Sequence, residues 1–119
     1  MELNPQYAQV YPTCTSLIEG EKSLFLLEHF LSACWALGIG NLIVEVQGKE
    51  MPILDGSSRE WLFLLRQAHP VEQNEVWEEF SLPKPITVGH KGCFLAGIPA
   101  EEFRMGYFYL HPEVGAFWV

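Results

Sequence analysis

Gly38 and Gly40 divide one apolar stretch, LLEHFLSACWALGIGNLIVEV (residues 26–46), into two parts of different periodicity. The first part begins like a buried helix. The second, LIVEV (42–46), is rich in β-branched residues and reads as a buried strand. Glycine at the division can take the left-handed conformation that ends a helix. A helix and a strand so close together commit the chain to mixed structure. The spacing predicts a helix over residues 24–37 with Ser23 as its cap. Leu24, Leu27, Leu31, Cys34 and Gly38 recur on one face, but Phe25, Phe30, Ala33 and Leu37 are apolar too. A helix apolar nearly all round packs on more than one side.

The flanks follow the same logic. Residues 1–12 are polar and punctuated by proline. TCTSLI (13–18) predicts a strand, and EGEK (19–22) a turn carried by Gly20. After LIVEV and the turn QGKE, MPIL (51–54) predicts a short return strand held to a sheet edge by Pro52. DGSS offers Asp55, Ser57 and Ser58 as caps for an amphipathic helix over 58–68, with Trp61, Leu64, Leu65 and Ala68 at i, i+3, i+4 and i+7. HPVEQNEVWEEFSLPK (69–84) is acidic, has proline near each end, and predicts a linker with a solvated face. Beyond it PITV, CFLAGI and the alternating FRMGYFYLH predict short antiparallel strands, joined by the turns GHKG and PAEE. The apolar end, Phe117, Trp118 and Val119, reads as a cut rather than a finished terminus.

Composition narrows the function classes. Of 119 residues, 49% are hydrophobic and 18% charged, so a disordered tail is excluded. A net charge of −8 without any basic run argues against nucleic acid and against an anionic membrane surface. No stretch approaches the length of a membrane-spanning helix, and the first twenty residues lack the pattern of a secretory signal. Cys14, Cys34 and Cys93 are odd in number and far apart, which suits a reducing cytoplasm. Cys34 and Cys93 read as small buried hydrophobes.

Against this background Glu28 and His29 are conspicuous. Adjacent helical residues point about 100° apart, so a carboxylate and an imidazole can address one small volume from two directions. Glu28 also falls about 40° from Leu24 on a helical wheel, and a carboxylate facing an apolar side needs a partner. A satisfied structural pair explains both residues equally well. No histidine has a second ligand four residues on: Ala33, Gln73, Phe94 and Gly115 follow His29, His69, His90 and His111. His69 and His90 read as exposed, His111 as a strand-end residue. Glycine-rich nucleotide loops and GxSxG are missing.

Four linked motifs carry a resemblance. Glu28-His29-Phe30, Leu37-Gly38-Ile39-Gly40-Asn41, Ile43-Val44-Glu45-Val46 and Pro52-Ile53-Leu54-Asp55-Gly56-Ser57 follow one another as in the bacterial UDP-3-O-acyl-N-acetylglucosamine deacetylases, zinc hydrolases of lipid A synthesis. A weaker likeness extends to Cys14-Thr15 upstream and to FRMGYFYLHPEVG downstream.

The resemblance implies an α+β fold of two similar domains, each a small sheet packed on helices, with the active site between them. Residues 1–78 would be a remnant of the first domain, and 79–119 a linker and the first strands of the second. It implies that His29 is a Zn2+ ligand, that Glu28 is the general base, and that Cys14 and Thr15 lie near the substrate. Zinc would polarise the amide carbonyl and acidify a water that Glu28 helps deprotonate, removing the N-acetyl group from the UDP-linked 3-O-acyl glucosamine. Asp55 and its turn would be structural. The family's other two zinc ligands come from an H-K-x-x-D helix in the second domain. Here His90-Lys91 is followed by Phe94 in place of the aspartate, in a hairpin turn, so one ligand of three is present. The chain is therefore expected to be a fragment inert by itself. The alternatives are a non-catalytic interaction module, or one half of a split enzyme whose second domain is a complementing chain.

Overall fold

The computed structural model describes residues 1–76, 78 and 80–119; Trp77 and Glu79 of the expected acidic linker lie outside the described residues. The architecture is α+β, with two helices and several small antiparallel sheets. By their contacts the residues form two units, 1–73 and 74–119.

In the first unit the polar start is more ordered than its composition predicts. Asn4 accepts the Gln6 N–H at 3.0 Å and caps a 3-10 turn at Pro5–Tyr7. Strands β1 (Ala8–Val10), β2 (Thr15–Glu19) and β3 (Lys22–Phe25) then form an antiparallel sheet in that order. Gly20, at φ +60°, opens the tight β2–β3 turn in the conformation such hairpins require. Ser16 is fully buried and its hydroxyl donates to the Gln9 carbonyl at 3.3 Å.

The first helix, α1, runs Glu28–Ala36, shorter at its start than the predicted 24–37. Ser23, Leu24 and Phe25 belong instead to β3, where Leu24 faces Leu17 across the ladder. Hairpin pairing with β2 overrides their helical periodicity, so Ser23 caps nothing and Leu24 shares no helix face with Glu28. The end of α1 matches expectation. Gly38 stands at φ +65°, its N–H reaches the Trp35 carbonyl at 3.0 Å, and the Ile39 N–H reaches the Cys34 carbonyl at 2.9 Å. That pair of bonds is a Schellman cap. The second helix, α2 (Arg59–Gln67), lies within one residue of its predicted limits at each end. Leu17, Leu27, Phe30, Ala33, Cys34, Met51 and Leu65 make the buried core, with Trp61 and Leu62 packed against it.

Two predicted strands do not form. LIVEV carries no strand pairing, and Ile43 is 93% exposed. A strand needs a neighbour for its backbone hydrogen bonds, and among the described residues none reaches 42–46. MPIL is likewise unpaired, and a parallel bridge joins Phe25 to Glu50 just before it. The Phe25 N–H donates to the Lys49 carbonyl at 2.8 Å, and the Met51 N–H to the Phe25 carbonyl at 2.9 Å. Those two bonds seat Met51 in the core.

The second unit holds two hairpins. Strands β4 (Ile86–His90) and β5 (Cys93–Gly97) are antiparallel, with His90 opposite Cys93. Strands β6 (Phe108–His111) and β7 (Gly115–Trp118) form the other, extended by reciprocal bonds between Tyr107 and Val119 at 2.9 and 3.0 Å. The predicted 103–111 strand is thus confined to its last four residues, and PEVGAFWV turns back on it. None of the described residues of this unit is buried. Cys93 is exposed, against the reading as a buried hydrophobe, because the described residues of its unit form no core.

Candidate functional site

The junction between β3 and α1 determines where the Glu28 carboxylate stands. The β2–β3 ladder ends at Ser16 opposite Phe25. Leu26 then adopts φ +62°, a left-handed conformation uncommon outside glycine, and turns the chain into α1 within two residues. Thr15, one residue beyond the end of the ladder, still points its main-chain groups toward that side. Its carbonyl accepts the Leu27 N–H at 3.3 Å, and its N–H donates to Glu28 Oε2 at 3.0 Å. Leu27, at the N-cap position, provides no side-chain cap. The Glu28 carboxylate lies in the first turn, where the helix dipole favours negative charge.

Glu28 and His29 are both half-buried. Among the described residues Glu28 Oε1 accepts no hydrogen bond, and the His29 ring makes none. Thr15 and Glu28 are therefore brought together, through the Thr15 main chain rather than its hydroxyl. Half-buried Cys14 lies next to them, lining an open cleft of about 400 Å³ with Tyr11, Thr13, Phe25, Leu26 and Glu50. A second, apolar groove of about 380 Å³ runs between α1 and the unpaired segment, lined by Leu27, Leu31, Cys34, Val44 and Val46 among others. Burial pushes the Cys34 thiol up, partly offset by a backbone hydrogen bond.

The DGSS turn is a local cap. Asp55 Oδ1 accepts both the Ser57 hydroxyl (2.8 Å) and the Ser57 N–H (3.0 Å), while the Arg59 guanidinium meets Asp55 Oδ2 at 3.1 Å. The Ser57 hydroxyl in turn accepts the Arg59 N–H at 3.1 Å. Ser57, with Asp55 behind it, caps α2; Ser58 at the N-cap position makes no side-chain cap. The Ser57 hydroxyl, then its N–H, and then Arg59 hold the Asp55 carboxyl below the usual carboxylate range.

The remaining histidines stand apart from Glu28 and His29 in role. His69 and His90 are exposed, and His90 closes the β4–β5 hairpin rather than lying on a helix. His111 ends β6, where Nδ1 accepts the N–H groups of Glu113 and Val114 at 3.2 and 3.3 Å. No three His, Cys, Asp or Glu side chains among the described residues are grouped to hold a metal ion. A zinc site requires at least three protein ligands, so the described residues alone do not supply one. Among the described residues no helix is long and apolar enough to cross a membrane.

Sequence reasoning missed Leu26 and the Thr15 main chain. Leucine carries no mark of a left-handed conformation, and a backbone donor has no residue identity. The only available signal was the Cys14-Thr15 pair upstream of the helix.

Residues 1–117 match the family model of LpxC, UDP-3-O-acyl N-acetylglycosamine deacetylase. Among curated proteins named UDP-3-O-acyl-N-acetylglucosamine deacetylase, that of Saccharophagus degradans is 39% identical over 93 residues, 78% of this chain and 31% of that protein. The one from Trichormus variabilis is 35% identical over 95 residues, 78% of this chain and 34% of the relative. A Legionella pneumophila protein is 33% identical over 109 residues, 90% of this chain and 36% of its own length. The chain spans about a third of the length of these relatives.

Proposed function

The chain belongs to the UDP-3-O-acyl N-acetylglycosamine deacetylase family, and on that premise we propose that it carries the first-domain part of that hydrolase's site. The carrying observation is Glu28: a half-buried carboxylate beside His29, held through one oxygen by the Thr15 N–H and, among the described residues, free on the other. Such a carboxylate can accept a proton from a water at Oε1 without losing its anchor. His29 is then one ligand of a Zn2+ site whose other ligands lie outside this chain, and Cys14 lines the approach. The substrate class is a UDP-linked 3-O-acyl N-acetylglucosamine, and the setting is lipid A synthesis in the cytoplasm, which three free cysteines suit. On this reading residues 1–78 are the remnant of a first domain and 79–119 a linker with the first strands of a second.

A deacetylase assay with added zinc tests the reading. The isolated chain gives no turnover. Mixed with a chain carrying the remaining part of a relative, it restores turnover, which Glu28→Gln or His29→Ala abolishes. Turnover by the isolated chain would overturn its inertness, and turnover in the mixed Glu28→Gln sample would overturn the role of Glu28.

A second reading rests on the second unit, where Tyr107, Phe108 and Trp118 are 60%, 52% and 75% exposed and the described residues include no core. Two-stranded hairpins of this kind are marginal alone. This favours a split enzyme in which a complementing chain covers them. Light scattering after size exclusion discriminates: a monodisperse monomer argues against it.

A further inference from the structure

We infer that the Thr15 main-chain N–H and the left-handed turn at Leu26 are positioning elements that set the Glu28 carboxylate in place before any metal or second domain is present. The inference rests on the proposed role of Glu28, and adds to it what fixes that side chain.

Three observations converge. Thr15 stands opposite Val10 of β1, but the ladder between β2 and β3 stops at Ser16 and Phe25, so the Thr15 N–H has no partner on β3. A half-buried amide left unpaired is unfavourable, and the Glu28 carboxylate supplies its acceptor at 3.0 Å. Second, the Thr15 carbonyl holds the Leu27 N–H at 3.3 Å, so the strand residue and the start of α1 are tied at two points rather than one. Third, this geometry depends on φ +62° at Leu26. With Leu26 in ordinary extended backbone, β3 would continue past Phe25, and Glu28 would stand further along the strand instead of at the start of a helix.

A leucine held in that conformation stays there only when its surroundings over-determine it. Here the flanking contacts do so. Phe25 is bonded on one side to Lys49 and Met51, and Leu27 is 4% exposed in the core on the other. The strained residue therefore lies between two fixed points, and the carboxylate two residues on inherits their placement. Anchoring through Oε2 leaves Oε1 without a partner among the described residues, so it can accept a proton. Among the described residues nothing equivalent holds the His29 ring, so the two adjacent side chains differ: the fold anchors Glu28 by a hydrogen bond and does not so anchor His29.

The test uses the 119-residue chain in EDTA, followed by amide NMR and hydrogen exchange. The Thr15 amide proton resonates downfield through its bond to a carboxylate and exchanges slowly. Glu28→Ala moves it upfield and speeds its exchange at least tenfold, and Glu28→Asp, one methylene short, does the same. Glu28→Gln, which keeps an acceptor oxygen at the same reach, retains the protection. Leu26→Gly preserves the wild-type signature because glycine accepts the left-handed turn. Leu26→Val, which disfavours it, reproduces the Glu28→Ala signature while the Schellman cap at Gly38 stays protected. A Thr15 amide indifferent to Glu28→Ala, or unchanged in Leu26→Val, would overturn the inference. Neither outcome depends on turnover, so the NMR result and the deacetylase assay fail separately.

Discussion

Phe30 and Trp61 meet edge to face between α1 and α2, their ring centroids 5.1 Å apart and their planes at 73°. Phe30 is 7% exposed, and the contact joins the helix that carries Glu28 to the one that follows the DGSS turn. The Trp61 indole N–H is buried with no hydrogen-bond partner among the described residues. Both residues bury apolar area, but only Trp61 carries an unsatisfied polar group into the interface.

Truncating the two rings should therefore have unequal effects. Phe30→Ala opens a cavity in a core of few residues and should destabilise the first unit by about 3–5 kcal/mol. Trp61→Phe keeps a ring against Phe30 and removes the orphan donor, and should cost less than about 1.5 kcal/mol. Urea unfolding followed by far-UV circular dichroism measures both. Equal losses would show that the indole makes contributions beyond its ring packing.

The three cysteines should react in the order of their exposure. Cys93 is exposed, Cys14 half-buried and Cys34 buried. Burial raises the Cys34 thiol above its ordinary value of 9.0, so at neutral pH it stays protonated and shielded. With a thiol-reactive dye, Cys93 should label first and Cys34 only on unfolding. The linkage has a definite sign. The folded state holds this proton more tightly than the unfolded one, so the contribution is present below the unfolded value and is lost as pH rises through the folded one. Cys34→Ala should flatten that alkaline decline.

The capping carboxylate of α2 acts at the other end of the pH scale. Ser57 and Arg59 hold Asp55 below its ordinary 3.8, so the unfolded state binds its proton more readily. The stabilisation is complete above the unfolded value and is lost as pH falls through the folded one. Asp55→Asn should weaken α2 at neutral pH and remove this part of the acid dependence. The Ser57 amide, followed by NMR between pH 2 and 6 (roughly two units either side of the carboxylate midpoint), reports it. An unchanged Ser57 response in Asp55→Asn would show that the turn does not rest on this carboxylate.

What could be read along the chain was the local part. The Schellman cap at Gly38 and the limits of α2 follow from glycine at the left-handed position and from i, i+3, i+4 spacing, both satisfied within a few residues. Glu28-His29 and the three motifs after it could be found because side chains carry identity. Ser23 to Phe25 went to β3 rather than α1 because hydrogen bonds to β2 compete with those of a helix, and periodicity cannot weigh a partner it does not see. Ile43 to Val46 stayed unpaired for the converse reason: strand composition was present, and a neighbouring backbone was not. The hold on Glu28 belongs to the same class. It is made by a main-chain donor thirteen positions earlier and by a leucine turned left-handed between two anchored neighbours. The sequence by itself singled out Glu28 and His29 as candidates and marked where the helices end. Only the tertiary structure decided which strands pair and how the carboxylate is aimed, because backbone hydrogen bonds between distant segments depend on where the chain has already been brought together.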